Sequence, residues 1–189
     1  MSQALSASAE KVGCSERTLR RCVNEGLLRG RRVGRRRLEL SCTEEEYLAA
    51  HWGLLSELRA ALRTERAARL VVLFGSNATG EDQDSSDVDL LVVHDEQGPR
   101  SLARLQMRLR RALGRPVDVV GLGQAETMPT LLADILREGR VLVDRDGLWD
   151  GLQERRREVS AAAAREERDV ARRAHETVVA ARERIAAAA

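Results

Sequence analysis

The sequence predicts an α+β protein in three parts: a mainly helical N-terminal head, a central mixed β-sheet with helices, and an α-helical C-terminal tail. Three observations carry this. Residues 1–40 hold ten basic and four acidic side chains around two short helical patterns. Residues 68–143 alternate apolar strand-like runs with amphipathic helical ones. From Gly147 onward the chain is Ala, Arg and Glu with sparse Leu152, Val159, Val170, Val178 and Ile185, a helix-forming composition. The expected boundaries are 1–42 for the head, 43–66 for a connector helix, 67–145 for the sheet unit and 146–189 for the tail.

The 189 residues are 33% charged and 43% apolar, with a formal net charge of +2. That balance excludes a disordered chain, and the length suffices for a sizeable core. There is no run of about 18 apolar residues, so no membrane span is expected. MSQALSASAEK lacks a basic stretch followed by an apolar core, so no secretory signal is expected either. Cys14, Cys22 and Cys42 are odd in number and lack paired or zinc-finger spacing. They read as small buried thiols in a reduced, cytoplasmic protein. Aromatic residues make up 2%, so the core must be built from Leu, Val and Ala.

In the head, a short helix from about Ala4 to Val12 ends at Gly13. Ser15 is a good N-cap for a second helix, Glu16–Asn24, which Gly26 stops. Leu19, Cys22 and Val23 share one face, and Arg17, Arg21 and Asn24 another. LLRGRRVGRRRLELS then reads as a hairpin wing carrying Arg31, Arg32, Arg35, Arg36 and Arg37. Two helices, an outward Arg/Asn stripe and a wing form the winged helix-turn-helix pattern, and a basic block this dense seeks phosphate. SERTLRRCVNEGLL with its Arg-rich hairpin resembles the DNA-binding head of the mercury-resistance-type (MerR) regulators. The resemblance rests on Thr18, Leu19, Arg20, Gly26, Leu27 and Leu28. It implies a second helix in the major groove of duplex DNA and a wing on the backbone. The alternative is a basic helical unit that binds a protein.

Ser41 or Thr43 opens the connector helix, with Glu44 or Glu46 as its capping-box partner. Tyr47, His51, Leu54, Leu55, Leu58 and Leu62 form its apolar stripe, in which His51 reads as a packing histidine. After it come strands at Ala68–Phe74, Asp87–His94, Pro116–Gly121 and Arg140–Val143, with helices at Pro99–Leu113 and Thr127–Glu138.

The chemistry concentrates in VVLFGSNATGEDQDSSDVDLLVV, residues 71–93. An apolar strand runs into Gly75-Ser76. Glycine permits a sharp turn and close approach of the backbone to a ligand. Ser76 offers a hydroxyl and an amide at a helix N-terminus, a seat for phosphate. Asp87 and Asp89 fall on one side of the next strand. Two adjacent carboxylates repel unless a cation lies between them, and Mg²⁺ takes carboxylate and phosphate oxygens together. A third carboxylate is expected from a neighbouring strand. Asp118, a lone acid in an apolar run, is the best candidate, ahead of Asp95 and Asp144. Gly75-x₄-Gly80 is not followed by Lys-Ser/Thr, so it is not a Walker loop. Arg168 and His175 read as a solvated helix face.

Gly75-Ser76, Ala78-Thr79-Gly80, Ser86-Asp87-Val88-Asp89-Leu90 and Asp118 together resemble the nucleotidyltransferase superfamily that includes DNA polymerase β, above all its minimal bacterial members. Thr79 stands where many of those have an arginine. The resemblance implies that Asp87, Asp89 and Asp118 hold two Mg²⁺ ions, that Gly75 and Ser76 bind the phosphates of an NTP, and that an NMP, by preference AMP from ATP, passes to a hydroxyl on a protein or small molecule. The alternative is a DNA-binding regulator or antitoxin-like protein whose fold senses nucleotide or serves as a scaffold. A homodimer through the connector or C-terminal helix is a further expectation.

Overall fold

In the computed structural model, the described residues are 3–34, 37–83, 86–96 and 98–187. The head comprises β1 (Gln3–Ala4), α1 (Leu5–Lys11), α2 (Glu16–Asn24), β2 (Gly30–Val33) and β3 (Arg37–Leu40). The Ser15 hydroxyl accepts the Thr18 amide at 3.1 Å, which fixes the start of α2. Gly26, at φ +82°, turns the chain out of the helix. The amides of Leu27 and Leu28 then return to the Cys22 carbonyl. The hairpin β2–β3 gains β1 as a third antiparallel strand, in the order β1-β3-β2. The sequence did not signal β1, which is only two residues long.

α3 runs Cys42–Leu62 with Ser41 as N-cap, four residues shorter than the expected Arg66 end. The chain must reverse there to enter the sheet. It does so through turn bonds from the Glu65 amide to the Leu62 carbonyl and from the Ala68 amide to the Glu65 carbonyl. Glu44 is not a reciprocal capping partner: its carboxylate points inward, to Arg140. The cysteine expectation holds for Cys22 alone. Cys14 is half-buried, and Cys42 is exposed at the first position of α3, where a side chain faces solvent.

The larger unit follows as β4 (Ala68–Phe74), α4 (Ser76–Thr79), β5 (Val88–His94), α5 (Pro99–Leu113), β6 (Val117–Gly121), α6 (Leu122–Ala125), α7 (Pro129–Glu138), β7 (Arg140–Asp144), α8 (Leu148–Glu154) and α9 (Arg156–Ala187). The sheet order is β6-β5-β4-β7. β4 lies antiparallel to β5 and β7, and β5 parallel to β6. Period-two alternation sends the strand side chains to two cores. Val71, Leu73, Leu90 and Val92 join the α3, α5 and head side chains. Leu70, Val72 and Leu91 face α7, α8 and the start of α9.

The head is docked on this sheet. The Val141 amide of β7 donates to the Gly26 carbonyl at 3.1 Å, and the Arg29 guanidinium to the Glu138 carbonyl at 2.7 Å. Val159 and Ala163 of α9 are buried against the α7 side, and residues 165–178 are exposed. Among the described residues, no helix is long and apolar enough to cross a membrane.

Candidate active site

β4 delivers the chain to Gly75 at φ +70°, ψ −159°, a region open in practice to glycine alone. A Cβ there would stand 2.5 Å from the Asp89 Oδ2, so the backbone approaches that carboxylate as only glycine allows. α4 begins at Ser76, and among the described residues no side chain caps it. Its first amides are therefore open to an anion.

The chain returns through Asp87 into β5. Three bonds fix this return. The Asn77 amide group donates to the Asp87 carbonyl at 2.7 Å, the Arg115 guanidinium to the Ser86 carbonyl at 2.6 Å, and the Val88 amide to the Pro116 carbonyl at 3.1 Å. In register, Asp89 lies opposite Phe74 on β4 and Asp118 on β6. The five residues read as the site from sequence, Gly75, Ser76, Asp87, Asp89 and Asp118, thus gather around the ends of three adjacent strands.

Burial, then the charges of Asp118 and Asp87, hold the Asp89 carboxyl above its ordinary range. Asp118 is exposed, and its Oδ1 accepts from Gln106 at 3.2 Å and Arg110 at 3.4 Å. Among the described residues, no three acidic, His or Cys side chains are drawn together tightly enough to cage a metal. The donor set still fits a hard divalent cation: it is all carboxylate oxygen, and its mutual repulsion is unrelieved at Asp89.

Of the weaker candidates, Asp144 accepts the Leu148 and Trp149 amides and so caps α8. Asp95 lies 3.7 Å from Arg69. Sequence reasoning missed Asn77 and Arg115. Asn77 is fully buried, and among the described residues its Oδ1 and the Arg115 Nε have no partner. The signal for Asn77 was its place inside Gly-Ser-Asn-Ala-Thr-Gly.

His51 fits its expected packing role. It stacks on Tyr47 with centroids 4.3 Å apart. Its Nδ1 faces the Tyr47 carbonyl at 2.9 Å, and its Nε2 the Asp82 carboxylate at 2.6 Å. Burial pushes the Tyr47 phenol up to about 12, so it stays a neutral donor to the Asn77 carbonyl at 2.8 Å.

On the head, Arg17, Arg21 and Asn24 are exposed along α2, and Arg31 and Arg32 along β2. Arg20 pairs with Glu16 and Arg37 with Glu39. Arg35 and Arg36 lie outside the described residues. Arg21 and Asn24 also line a cleft of about 580 Å³ with Arg59, Arg63, Arg145 and Trp149.

Residues 56–147 match the family described as "Polymerase beta, Nucleotidyltransferase". That span opens inside α3, closes just past β7, and contains all five candidate residues. The matched span is similar to a polymerase β-type nucleotidyltransferase domain. Solved structures share its fold. One is a toxin–antitoxin complex with AMP-PNP, 20% identical, with a TM-score of 0.54 over 64% of this chain and 98% of the other. Another is a mutant of the MntA–HpeT toxin–antitoxin, 19% identical, with the same TM-score and coverage. No curated protein matches the sequence. The matched span is thus a four-stranded sheet with its carboxylates and the Gly75-Ser76 turn at one end.

Proposed function

We propose that the chain is a Mg²⁺-dependent nucleotidyltransferase that moves an NMP, by preference AMP from ATP, to a hydroxyl on a protein or small molecule, and that its head binds duplex DNA. The observation that carries this is the convergence of Asp87, Asp89 and Asp118 on the uncapped turn at Gly75-Ser76. Asp87, Asp89 and Asp118 would hold Mg²⁺, which when bound neutralises phosphate charge and lowers the pKa of a coordinated hydroxyl. The Ser76 hydroxyl and the first α4 amides bind the phosphates of the NTP. Asn77 and Arg115 hold the backbone at residues 86–87 and so orient Asp87. Asp118, exposed on β6, takes the proton from the attacking hydroxyl once its bonds to Gln106 and Arg110 are released. The hydroxyl oxygen forms a bond to the α-phosphorus as the bond to pyrophosphate breaks.

Incubating the protein with each α-labelled NTP and a cell extract tests this. Label transferred by the parent and lost with Asp89→Asn supports it; no transfer by the parent refutes it. A second reading, a nucleotide-sensing regulator or antitoxin scaffold, is favoured by the engagement of Asp118 with Arg110 and by the docking of the head on the sheet. AMP-PNP is named with a solved toxin–antitoxin complex of this fold. Under that reading ATP binds and no label transfers.

The exposed wing residues Arg31 and Arg32 supply phosphate contacts for DNA, and Arg17, Arg21 and Asn24 of α2 the base contacts. Mobility shifts of the full chain on genomic and random duplexes at rising salt test this half separately.

A further inference from the structure

Glu44 and Arg140 lie 96 positions apart in sequence and are 4% and 2% exposed. The Arg140 guanidinium forks onto both Glu44 oxygens, at 2.5 and 3.1 Å. It also donates from Nε to the Ala78 carbonyl at 2.7 Å and from a terminal nitrogen to the Leu27 carbonyl at 3.2 Å. Its carbon lies 3.4 Å from the centroid of the Tyr47 ring. The Glu44 Oε1 additionally accepts the Arg29 amide at 2.8 Å.

One buried ion pair therefore holds backbone groups of two units at once. Leu27 and Arg29 belong to the head, just before its wing. Ala78 belongs to α4, which carries the phosphate turn at its other end. Tyr47 adds a second hold on α4 through the Asn77 carbonyl. A buried ion pair contributes little net stability beyond what apolar side chains of the same volume would give. What such side chains cannot do is fix these polar groups of head and turn to each other.

We propose that Arg140 and Glu44 are positioning residues that couple the phosphate turn to the head, so that a triphosphate at Gly75-Ser76 and a ligand on the head shift each other's affinity. This rests on reading Gly75-Ser76 as the phosphate seat. α4 has only four residues, so closing its amides on a phosphate moves its carbonyl end as well. That end is held by Arg140, whose planar fork has no slack in a close-packed interior. A shift at Ala78 is thus passed to Leu27 and, through Glu44, to Arg29. Thermodynamic linkage makes the effect reciprocal.

The test uses the full-length protein with Mg²⁺ and AMP-PNP. Calorimetry reads nucleotide binding, and hydrogen exchange reads the amides of residues 27–31. Saturation is expected to slow exchange at Arg29 and its neighbours in the parent by about fivefold or more, the low end of ordinary allosteric coupling. In Glu44→Leu/Arg140→Met, a charge-free pair that keeps the volume, AMP-PNP binds more weakly, and the slowing vanishes even at saturation. Arg140→Lys, which keeps the charge and loses the fork, shows the slowing reduced. AMP-PNP binding without slowing in the parent, or equal slowing in all three proteins, overturns the coupling alone. Absence of AMP-PNP binding in the parent overturns the phosphate seat and the coupling with it.

Discussion

Replacing Gly75 by alanine perturbs the site at its tightest point. At φ +70°, ψ −159° a residue with a Cβ carries about 1–3 kcal/mol of backbone strain. The new methyl would also stand 2.5 Å from the Asp89 Oδ2 and 3.3 Å from its Cγ. Asp89 is bound in β5 between β4 and β6, so only its side chain can yield. Leaving its rotamer costs about 0.5–1.5 kcal/mol. Together these predict a loss of about 2–4 kcal/mol. In a chain of this size each kcal/mol moves the melting midpoint by about 2–4 °C, so a fall of roughly 5–15 °C is expected by calorimetry in EDTA. Gly53→Ala is the control. Gly53 is exposed within α3, and nothing lies within 4 Å of its added Cβ. Alanine there should stabilise by about 0.5–1 kcal/mol. The two substitutions are chemically identical and should move the midpoint in opposite directions. Gly75→Ala should also weaken Mg²⁺ binding, because Asp89 is displaced. A Gly75→Ala protein that melts with the parent and titrates Mg²⁺ identically would refute the argument.

Asp89 binds its proton more tightly folded than unfolded. Its contribution to stability is therefore full below the ordinary carboxylate value, about 3.9, and is lost as pH rises through the raised folded value. Asp89→Asn, melted in EDTA across pH, should match the parent in acid and exceed it near neutrality; a lower neutral midpoint would contradict this. Asp87→Asn should weaken Mg²⁺ binding measured by calorimetry with AMP-PNP present, and unchanged binding would remove Asp87 from the ligand set. Ser76→Ala should cost roughly 1–2 kcal/mol of ATP affinity, the scale of a hydrogen bond to a charged group; equal affinity would place the triphosphate elsewhere. On the head, Arg32→Ala should weaken all duplexes about equally and flatten the salt dependence, whereas Asn24→Ala should change sequence preference. Mobility shifts separate the two.

Elements with local punctuation were legible in the sequence. α2 starts at a serine cap and ends at a left-handed glycine, and α5 starts at a proline and ends before one, so their bounds follow from a few residues each. The candidate site was legible because its residues lie in one short segment plus one anomalous acid, Asp118. What the sequence hid is tertiary. Glu44 satisfies a capping-box spacing, yet a guanidinium 96 residues away outcompetes that local bond. Arg140 looks like an ordinary charge at a strand entry, and only the closed fold buries it. The four-residue α6 has no periodicity to read, and the 62–66 turn is set by where β4 must begin rather than by helix propensity.

The bond from the Val141 amide to the Gly26 carbonyl bears on solubility. β7 is an outer strand of the four-stranded sheet, and the α2–β2 turn lies along its outer side. An apolar outer strand such as Val141-Leu142-Val143 is a template for strand addition by another chain unless something covers it. The head thus also serves as an edge guard. A protein begun at Ser41 would keep the carboxylates and the Gly75-Ser76 turn, yet would bare this strand along with the Arg140–Glu44 contacts of the head. It should self-associate through β7 at concentrations where the full chain stays dispersed.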